Sequence, residues 1–280
     1  MLFETPFFPP WIHRLAPMGS RTRQTLQRVR AYTLCQLEEC FAQWLPKDLF
    51  AKANRRHRHY TALRTFWCTL WQALNPQASC REVVRQLQVA FHLEGGPPIS
   101  EEDGAYCRAR DRLPLAEFPK ALQATAQAAD QRAPAFNLFG GRRALVADGS
   151  ALTLLADTLK NRDAYPPIQC LPGQPSFPML RFVVLFSLLS GANGALAQGS
   201  LAVSELALLH QLTQHLLKGD ILIGDRGFGC YPVLALLQHR LGVDFIGRTT
   251  RRIDGRRCLR GLGPNDWLIQ WTKGPVAFPW

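Results

Sequence analysis

A short aliphatic run that ends in a carboxylate constrains the fold more than any other stretch of this sequence. Ile221-Leu222-Ile223 leads into Gly224-Asp225, and Tyr231-Pro232 then opens an amphipathic run. The pattern predicts a buried strand, a tight turn and a helix. Side chains at the carboxyl ends of strands in an open α/β sheet face the crevice in which ligands bind. Asp225 is therefore a candidate catalytic or metal-binding carboxylate; its alternative role is that of a turn former or helix cap.

A second stretch repeats this design upstream. The aliphatic run from Ala144 to Ala147 ends in Asp148-Gly149, and Leu152 to Leu155 then continue the strand pattern. An Asp before a Gly is also an ordinary turn former at the end of a strand, which is the alternative role of Asp148. If the two strands are neighbours in one sheet, Asp148 and Asp225 converge at the same edge of that sheet.

The uncharged stretch from Phe182 to Ser204 is long enough to be tested as a membrane span. Its middle, however, holds an Asn193-Gly194 pair between two apolar runs, which is a strong signal for the turn of a hairpin. Two buried strands joined at this pair explain the same residues without a membrane. We therefore expect a hairpin here and no membrane partner.

The remaining elements alternate between helix and strand. Ser204 opens a helical run that Gly219 ends. Pro232 suits the first position of the next helix, and Val243–Gly247 has the pattern of a strand. The resulting order is strand, strand, strand, helix, strand, helix, strand. This is the order of a ribonuclease H-like core with a mixed sheet, which we assign to residues 141–280.

Residues 1–140 have a different character. Apolar residues recur at helical spacing over Ser20–Leu45 and Leu63–Leu74, and Ser79–Glu82 carries a capping-box signature. The densest basic run of this half contains Arg55, Arg56 and Arg58. These observations predict a helical, basic domain over residues 1–140 that contacts DNA phosphates. Together with the core over residues 141–280, the predicted fold class is α+β or α/β.

The composition limits the class of protein and its partners. Hydrophobic residues make up 47% of the 280 residues and charged residues 19%, which describes a globular chain with a real core. The formal net charge of +12 favours polyanionic partners. Nucleic acid is the first candidate, and an anionic membrane surface is the second.

The cysteines and the N-terminus indicate the compartment. Eight cysteines without a Cys-x-x-Cys pair argue against a zinc site, and a disulfide framework is unusual in a chain of this length. Met1–Pro6 has neither the basic region nor the apolar core of a signal peptide. We therefore expect reduced, mostly buried thiols in a cytoplasmic protein.

Two carboxylates at neighbouring strand ends in an arginine-rich chain indicate metal-assisted phosphoryl transfer. Two divalent ions roughly 3.5–4 Å apart can activate the attacking oxygen and stabilise the leaving one. Magnesium prefers hard oxygen ligands, so Asp suits such a site, whereas Cys and His do not. The sequence thus predicts that Asp148 and Asp225 bind Mg²⁺, with Mn²⁺ as a substitute.

Several stretches together resemble a known family. Ala147–Ser150, Ser204–Leu206 and Gly219–Tyr231 are similar to the DDE transposases of bacterial insertion sequences, in the insertion-sequence-4 group. Ala105–Arg110, followed by Leu113-Pro114, is similar to the N-terminal region of these enzymes. The resemblance implies a ribonuclease H-like core that binds Mg²⁺, cuts the ends of the element and joins them to double-stranded target DNA.

The same resemblance implies the roles of the two acids and the setting of the protein. Asp148 would be the first acid of the catalytic triad and Asp225 the second. Both would bind the metal and take part in catalysis. The protein would be a bacterial one, associated with the nucleoid when it is bound to DNA.

The sequence departs from the family at the third acid. The family has a Glu in a Tyr-x-x-Arg-x-x-x-Glu signature, and no such signature lies between Asp225 and Trp280. Trp280 falls at what would be the start of the strand-rich insertion that precedes the signature. We therefore expect a C-terminally truncated copy with an incomplete core, weak Mg²⁺ binding and little or no cleavage. Glu205 lies upstream, where it suits the start of a helix, and it is not assigned as the missing ligand.

Three functions remain open at this stage. The first is a truncated transposase, which could pair with another copy of itself or with a full-length transposase. The second is a DNA-binding protein without catalysis that interferes with a full-length transposase, and the third is a metal-dependent nuclease that completes its site differently. The candidate DNA contacts are Arg55, Arg56, Arg58, Arg226, Arg248, Arg251 and Arg252. For the arginines from residue 248 onward, the alternative is the solvated surface of a hairpin.

Overall fold

The computed structural model describes residues 23–53, 59–133, 138–152, 156–167, 177–248, 258–264 and 266–271. The chain forms two compact units, Met1–Ala121 and Leu122–Trp280. The division falls inside a helix, Phe118–Arg132. The first strand begins at Ala144. The predicted boundary at residue 140 depends on this change from helices to strands.

The first unit is helical in the part that the structure describes. Its helices are α1 (residues 23–30), α2 (Leu34–Phe41), α3 (Ala62–Leu74), α4 (Cys80–Leu93), α5 (Gly104–Asp111) and the start of α6 (Phe118–Arg132). Short 3₁₀ turns cover Ala42–Trp44, Ala51–Ala53 and Leu115–Glu117. The predicted helical character of this region is thereby confirmed for the described residues.

Side-chain caps explain where the helices of this unit begin. The predicted helical spacing over Ser20–Leu45 covers two helices, because Thr33 has an extended backbone and caps α2 in a reciprocal capping box with Gln36. The interruption exposes the carbonyl of Tyr32, which accepts a hydrogen bond of 2.8 Å from the indole N–H of Trp71. Ser79 caps α4 as predicted, because its hydroxyl accepts the backbone N–H of Glu82.

One core of large side chains holds the first unit together. Trp67 of α3, Tyr106 of α5 and Leu87 of α4 are fully buried, so three helices meet at this core. Phe50 and Phe66 pack with their ring centroids 5.5 Å apart, and Phe66 lies 5.6 Å from Phe118. Aromatic burial of this kind contributes most of the stability of a small helical unit.

The second unit is built on a five-stranded mixed sheet with the order β3-β2-β1-β4-β5. Neighbouring strands are antiparallel from β3 to β1 and parallel from β1 to β5. The strands are β1 (Ala144–Leu152), β2 (Leu180–Ser187), β3 (Asn193–Ser200), β4 (Ile221–Gly224) and β5 (Asp244–Gly247). A separate hairpin joins β6 (Cys258–Gly263) to β7 (Asp266–Ile269). The predicted mixed α/β fold is thus present in this unit.

Three helices lie between strands of the sheet in the described part of this unit. α7 (Leu159–Ala164) follows β1, α8 (Glu205–Leu212) lies between β3 and β4, and α9 (Tyr231–Ala235) lies between β4 and β5. Ser204 caps α8 as predicted, and Pro232 lies in the first turn of α9, one residue after the first helical position at which it was predicted. α9 continues as a π-helical turn over Leu236–Leu241, which Gly242 ends with a φ of +64°.

The core of the second unit lies on one face of the sheet. Leu208, Leu209 and Leu212 of α8 pack in one cluster with side chains of the three central strands, among them Leu145, Ala147, Val183, Leu185 and Leu222. Side chains alternate between the two faces along a strand, so Val146 and Asp148 lie on the opposite face from Leu145 and Ala147. The helix face of the sheet therefore supplies the core, and Asp148 points away from it.

The predicted hairpin exists, but its turn lies earlier than expected. β2 ends at Ser187 and β3 already begins at Asn193, so the turn is formed by residues 188–192. Gly191 has a φ of +72°, and the hydroxyls of Ser187 and Ser190 each donate a hydrogen bond of 2.6 Å to Asp130. The prediction at Asn193-Gly194 was wrong because this contact with α6, distant in sequence, fixes the turn.

Two further expectations concern the membrane and the thiols. Among the described residues, no helix is long and apolar enough to cross a membrane. The expectation of mostly buried thiols is wrong for the cysteines that the structure describes, because only Cys68 of these is buried. Cys40 and Cys258 are exposed, and Cys35, Cys80, Cys107 and Cys230 are half-buried.

Candidate metal centre

The pairing of β1 with β4 brings the two predicted acids together. Ala147 of β1 pairs with Gly224 of β4, and this is the last pair of the parallel register. The next residues along the two strands are Asp148 and Asp225. Both acids therefore lie where β4 ends, and we call this end of the parallel strands the sheet edge. Both side chains are exposed. The sequence prediction that these two carboxylates converge on neighbouring strands agrees with this register.

Asp225 has a turn-forming role in addition to its place at the sheet edge. Its Oδ1 accepts a hydrogen bond of 2.9 Å from the backbone N–H of Gly227, and its carbonyl accepts one of 3.3 Å from Phe228. Phe228 is buried in the core and anchors the turn. The turn therefore fixes the position of the Asp225 carboxylate just beyond β4.

Asp148 is held differently. It continues within β1 and pairs with Val184 of β2. Within the described part of the chain, its carboxylate takes part in no hydrogen bond or ion pair. Its predicted alternative, a turn at the end of the strand, does not apply, because β1 runs on to Leu152. A solvent-facing carboxylate on a rigid central strand is available to a ligand.

Two of the predicted arginines lie at the same edge as the acids. Arg226 follows Asp225 directly. Arg248 follows Gly247, which pairs with Gly224 at the end of β5. Both arginines are exposed. Arg55, Arg56, Arg58, Arg251 and Arg252 lie outside the described residues, so their predicted DNA contacts have no counterpart here.

The Glu205 side chain lies against β1 next to Asp148, although the two residues are far apart in the sequence. It is the first residue of α8, and a Cβ atom at position 149 would lie only 2.8 Å from its Cδ atom. The carboxyl group of Glu205 therefore rests on the backbone of the residue after Asp148. Gly149 faces α8, however, whereas the side chain of Asp148 points to the opposite face of the sheet. In the described ranges, no three His, Cys, Asp or Glu side chains lie close enough together to hold a metal ion.

An ion pair between the buried acid Asp220 and the exposed Arg143, at the other end of β1 and β4, was not foreseen from the sequence. Asp220 is 4% exposed and accepts hydrogen bonds from the guanidinium of Arg143 and from the backbone N–H of Leu217. Arg142 also reaches the carbonyl of Gly219 at 2.7 Å and the carboxylate of Asp244 at 2.7 Å. These contacts tie the amino ends of β1, β4 and β5 together and so fix the register that aligns Asp148 with Asp225.

The carboxylates of Asp148 and Asp225 suit the coordination that a divalent cation needs. Two adjacent, exposed carboxylates offer the hard oxygen ligands that Mg²⁺ and Mn²⁺ prefer. Mg²⁺ usually keeps several waters and binds through one or two carboxylates. Asp148 and Asp225 therefore fit a hydrated Mg²⁺, with most of its coordination sphere supplied by water and substrate.

Comparison with known proteins adds no relative from which a role could be transferred. No known protein family matches the chain, and no curated protein matches it either.

Proposed function

We propose that this chain carries the core of a DNA transposase, an enzyme that cuts and joins DNA strands with the help of a divalent metal ion. The observation that carries the proposal is the register of β1 and β4, which places Asp148 and Asp225 side by side at one sheet edge. Two converging carboxylates beside arginines match the needs of metal-assisted phosphoryl transfer. The proposed setting is the bacterial cytoplasm, with double-stranded DNA as the partner.

The topology of the sheet supports a ribonuclease H-like core. Three antiparallel strands are followed by two parallel ones in the order β3-β2-β1-β4-β5. The two acids follow the last residue pair between the central strand and its parallel neighbour. This combination of topology and acid placement is what the resemblance to DDE transposases implies.

The proposed roles of the residues follow from their charges. Asp148 and Asp225 would hold Mg²⁺ between the sheet edge and the DNA backbone. The bound cation supplies positive charge that stabilises the attacking and leaving oxygens of an in-line displacement at phosphorus. Arg226 and Arg248 would contact neighbouring phosphates and orient the strand, since a guanidinium can donate two parallel hydrogen bonds to a phosphate.

The number of carboxylates sets the expected activity. The register of β1 and β4 aligns two carboxylates, those of Asp148 and Asp225. We therefore propose weak Mg²⁺ binding and slow or undetectable cleavage by this chain alone. The net charge of +12 favours a second candidate function, namely DNA binding without catalysis.

A metal titration tests the proposed site directly. Mn²⁺ binding to the full chain is measured by calorimetry, with Asp148→Asn and Asp225→Asn as test variants and Asp163→Asn, an exposed acid of α7, as the control. We expect weak binding that each test variant abolishes and the control retains. Equal binding by all four proteins would refute the metal site.

A cleavage assay separates the two candidate functions. Duplex DNA that carries the sequences flanking the gene is incubated with the chain and Mn²⁺. Metal-dependent joining of DNA strands that Asp225→Asn abolishes supports a transposase. DNA binding without any strand breakage supports the non-catalytic function, and hydrolysis without joining points instead to a nuclease.

A further inference from the structure

The second unit has a cavity of about 290 Å³ at the amino end of β1. It is lined by Ala144, the two arginines before it, Asp130 of α6 and the start of the turn after β2. Its volume lies near the lower limit of the sites that bind small molecules in proteins, which range from roughly 300 to 1,000 Å³. Asp148 and Asp225 lie at the opposite end of the β1–β4 pairing, so the candidate metal centre does not account for this cavity.

The carboxylate of Asp130 is the polar group that the cavity presents to a ligand. Its Oδ1 accepts two hydrogen bonds of 2.6 Å, one from the hydroxyl of Ser187 and one from that of Ser190. Ser187 is itself buried, and Asp130 is half-buried. The Oδ2 of Asp130 forms no hydrogen bond or ion pair with any residue that the structure describes. The two serines thus hold the carboxylate in place and leave one of its oxygens available.

The charges around the cavity decide the sign of the ligand. Arg143 donates hydrogen bonds to the carboxylate of Asp220, and Arg142 lies 2.7 Å from the carboxylate of Asp244. The two guanidinium groups are therefore each matched by an acid. The negative charge of Asp130 has no such partner among the described residues. A cationic ligand would supply the missing charge, whereas an anion would be repelled by Asp130 and would find both arginines engaged.

Apolar side chains complete the lining and favour a ligand with an apolar body. Phe139, Leu188 and Leu189 line the cavity, and Leu189 is 41% exposed. Phe139 has a φ of +55°, a left-handed conformation that a residue with a side chain adopts only at a cost. Backbone strain of this kind is concentrated at ligand sites. The ring of Phe139 also attracts a cation that lies over its face.

We propose that this cavity binds a small organic cation, namely a primary amine with an apolar body. The ammonium group donates a charge-assisted hydrogen bond to the Oδ2 of Asp130. The apolar body packs against Phe139, Leu188 and Leu189 and leaves water. The cavity has room for roughly ten groups of the size of a water molecule, which suits an amine with a single ring. This site is independent of the proposed transposase function, because its residues bind neither the metal nor the DNA in that proposal.

Fluorine NMR of two matched probes tests the proposal on the full chain. The probes are para-fluorobenzylammonium and para-fluorobenzyl alcohol, which share the ring and differ in the charge of the polar group. We expect the ammonium to bind in the millimolar range and the alcohol to bind at least tenfold more weakly, because a hydrogen bond to a charged group is lost. Equal affinity for the two probes, or binding of neither, would overturn the proposal.

Variants locate the binding in this cavity. Asp130→Asn removes the charge but keeps an oxygen that accepts the two serine hydroxyls, and we expect it to weaken binding of the ammonium about tenfold. The control is Asp163→Asn, an exposed acid of α7, which should bind the ammonium like the parent chain. Unchanged affinity in Asp130→Asn, or an equal loss in the control, would contradict the site.

A second variant keeps the test decisive if Asp130→Asn folds poorly. Phe139→Gly removes one apolar wall, and a glycine adopts the positive φ of this position without strain, so the fold should tolerate the change. We expect this variant to bind the ammonium more weakly while its circular dichroism spectrum stays that of the parent chain. A folded Phe139→Gly chain with parental affinity would show that the amine binds elsewhere.

Discussion

Gly247 ends β5 beside the carbonyl oxygen of Gly224, the residue that precedes Asp225. A Cβ atom at position 247 would lie 2.6 Å from that oxygen, which belongs to the backbone and cannot move aside cheaply. We expect Gly247→Ala to lower the free energy of unfolding by about 1–3 kcal/mol, because β5 must shift away from β4. Urea unfolding measures this loss. In the control Gly261→Ala, the Cβ meets no atom within 4 Å, and an equal loss there would contradict the steric argument.

The Asp220–Arg143 pair gives a second prediction at the scale of residues. The Asp220 side chain is 5% exposed and that of Arg143 42%, so removal of the acid leaves a half-buried guanidinium without its partner. We expect Asp220→Ala to lower the free energy of unfolding by about 2–3 kcal/mol, less than for a fully buried pair because solvent screens Arg143. Asp157→Ala, which breaks the surface pair with Arg162, should change the free energy of unfolding little. Similar losses in the two variants, measured by urea unfolding, would argue against a register-fixing role for Asp220.

Local patterns explain which site residues were predictable. Asp148 and Asp225 each follow an aliphatic run, and buried strand segments can be located from such runs without knowledge of the rest of the fold. The contacts of Asp220 with Arg143 and of Glu205 with Gly149 join residues far apart in the sequence. The spacing of apolar residues does not predict such contacts. Gly149 inside β1 was nevertheless a signal that another group approaches this strand closely.

At the scale of elements, the start of α3 carries a prediction for alkaline pH. Burial raises the pKa of Tyr60, just before this helix, from 10.0 to about 12. The pKa of Tyr60 is higher in the folded than in the unfolded chain. Its contribution to the free energy of unfolding is therefore fully present below pH 10 and is lost as the pH rises towards 12. Tyr60→Phe should therefore make the loss of stability between pH 10 and 12 shallower, as measured by urea unfolding at several pH values.

The same substitution has a predictable effect at neutral pH. The hydroxyl of Tyr60 is buried and has no hydrogen-bond partner among the described residues, so its removal should leave the free energy of unfolding at pH 7 unchanged or slightly higher. Tyr165→Phe, in the second unit, is the control for the loss of a phenol. If Tyr60→Phe and Tyr165→Phe lose stability with equal steepness above pH 10, the burial of Tyr60 is not the cause.

Elements were predicted well where their boundaries depend on neighbouring residues. Ser79 and Ser204 cap their helices, and Pro232 lies in the first turn of the helix after β4, because caps and helix starts act over one turn. The hairpin turn was misplaced because Asp130, from a helix far upstream, binds Ser187 and Ser190. Turn positions that depend on such distant partners need the folded structure.

At the scale of the whole molecule, the net charge and the sheet edge lead to a prediction about DNA. A chain with a formal charge of +12 should bind duplex DNA with an affinity that falls steeply with salt, because each neutralised phosphate releases a counterion. If Arg226 and Arg248 contact phosphates, each change to Gln should lower the slope of log K against log salt by about 0.9. Fluorescence anisotropy with a labelled duplex at several salt concentrations measures this slope.

The placement of the two arginines beside the acids makes this measurement specific for the sheet edge. The control is Arg162→Gln, since Arg162 lies on α7 and its guanidinium binds Asp157 at 2.8 Å. If this control and the two edge variants reduce the slope equally, the chain binds DNA through its overall charge alone. If only Arg226→Gln and Arg248→Gln reduce it, phosphates lie against the edge that carries Asp148 and Asp225. A second titration with Mn²⁺ should then raise the DNA affinity of the parent chain more than that of Asp225→Asn, because the cation offsets the repulsion between the carboxylates and the phosphates.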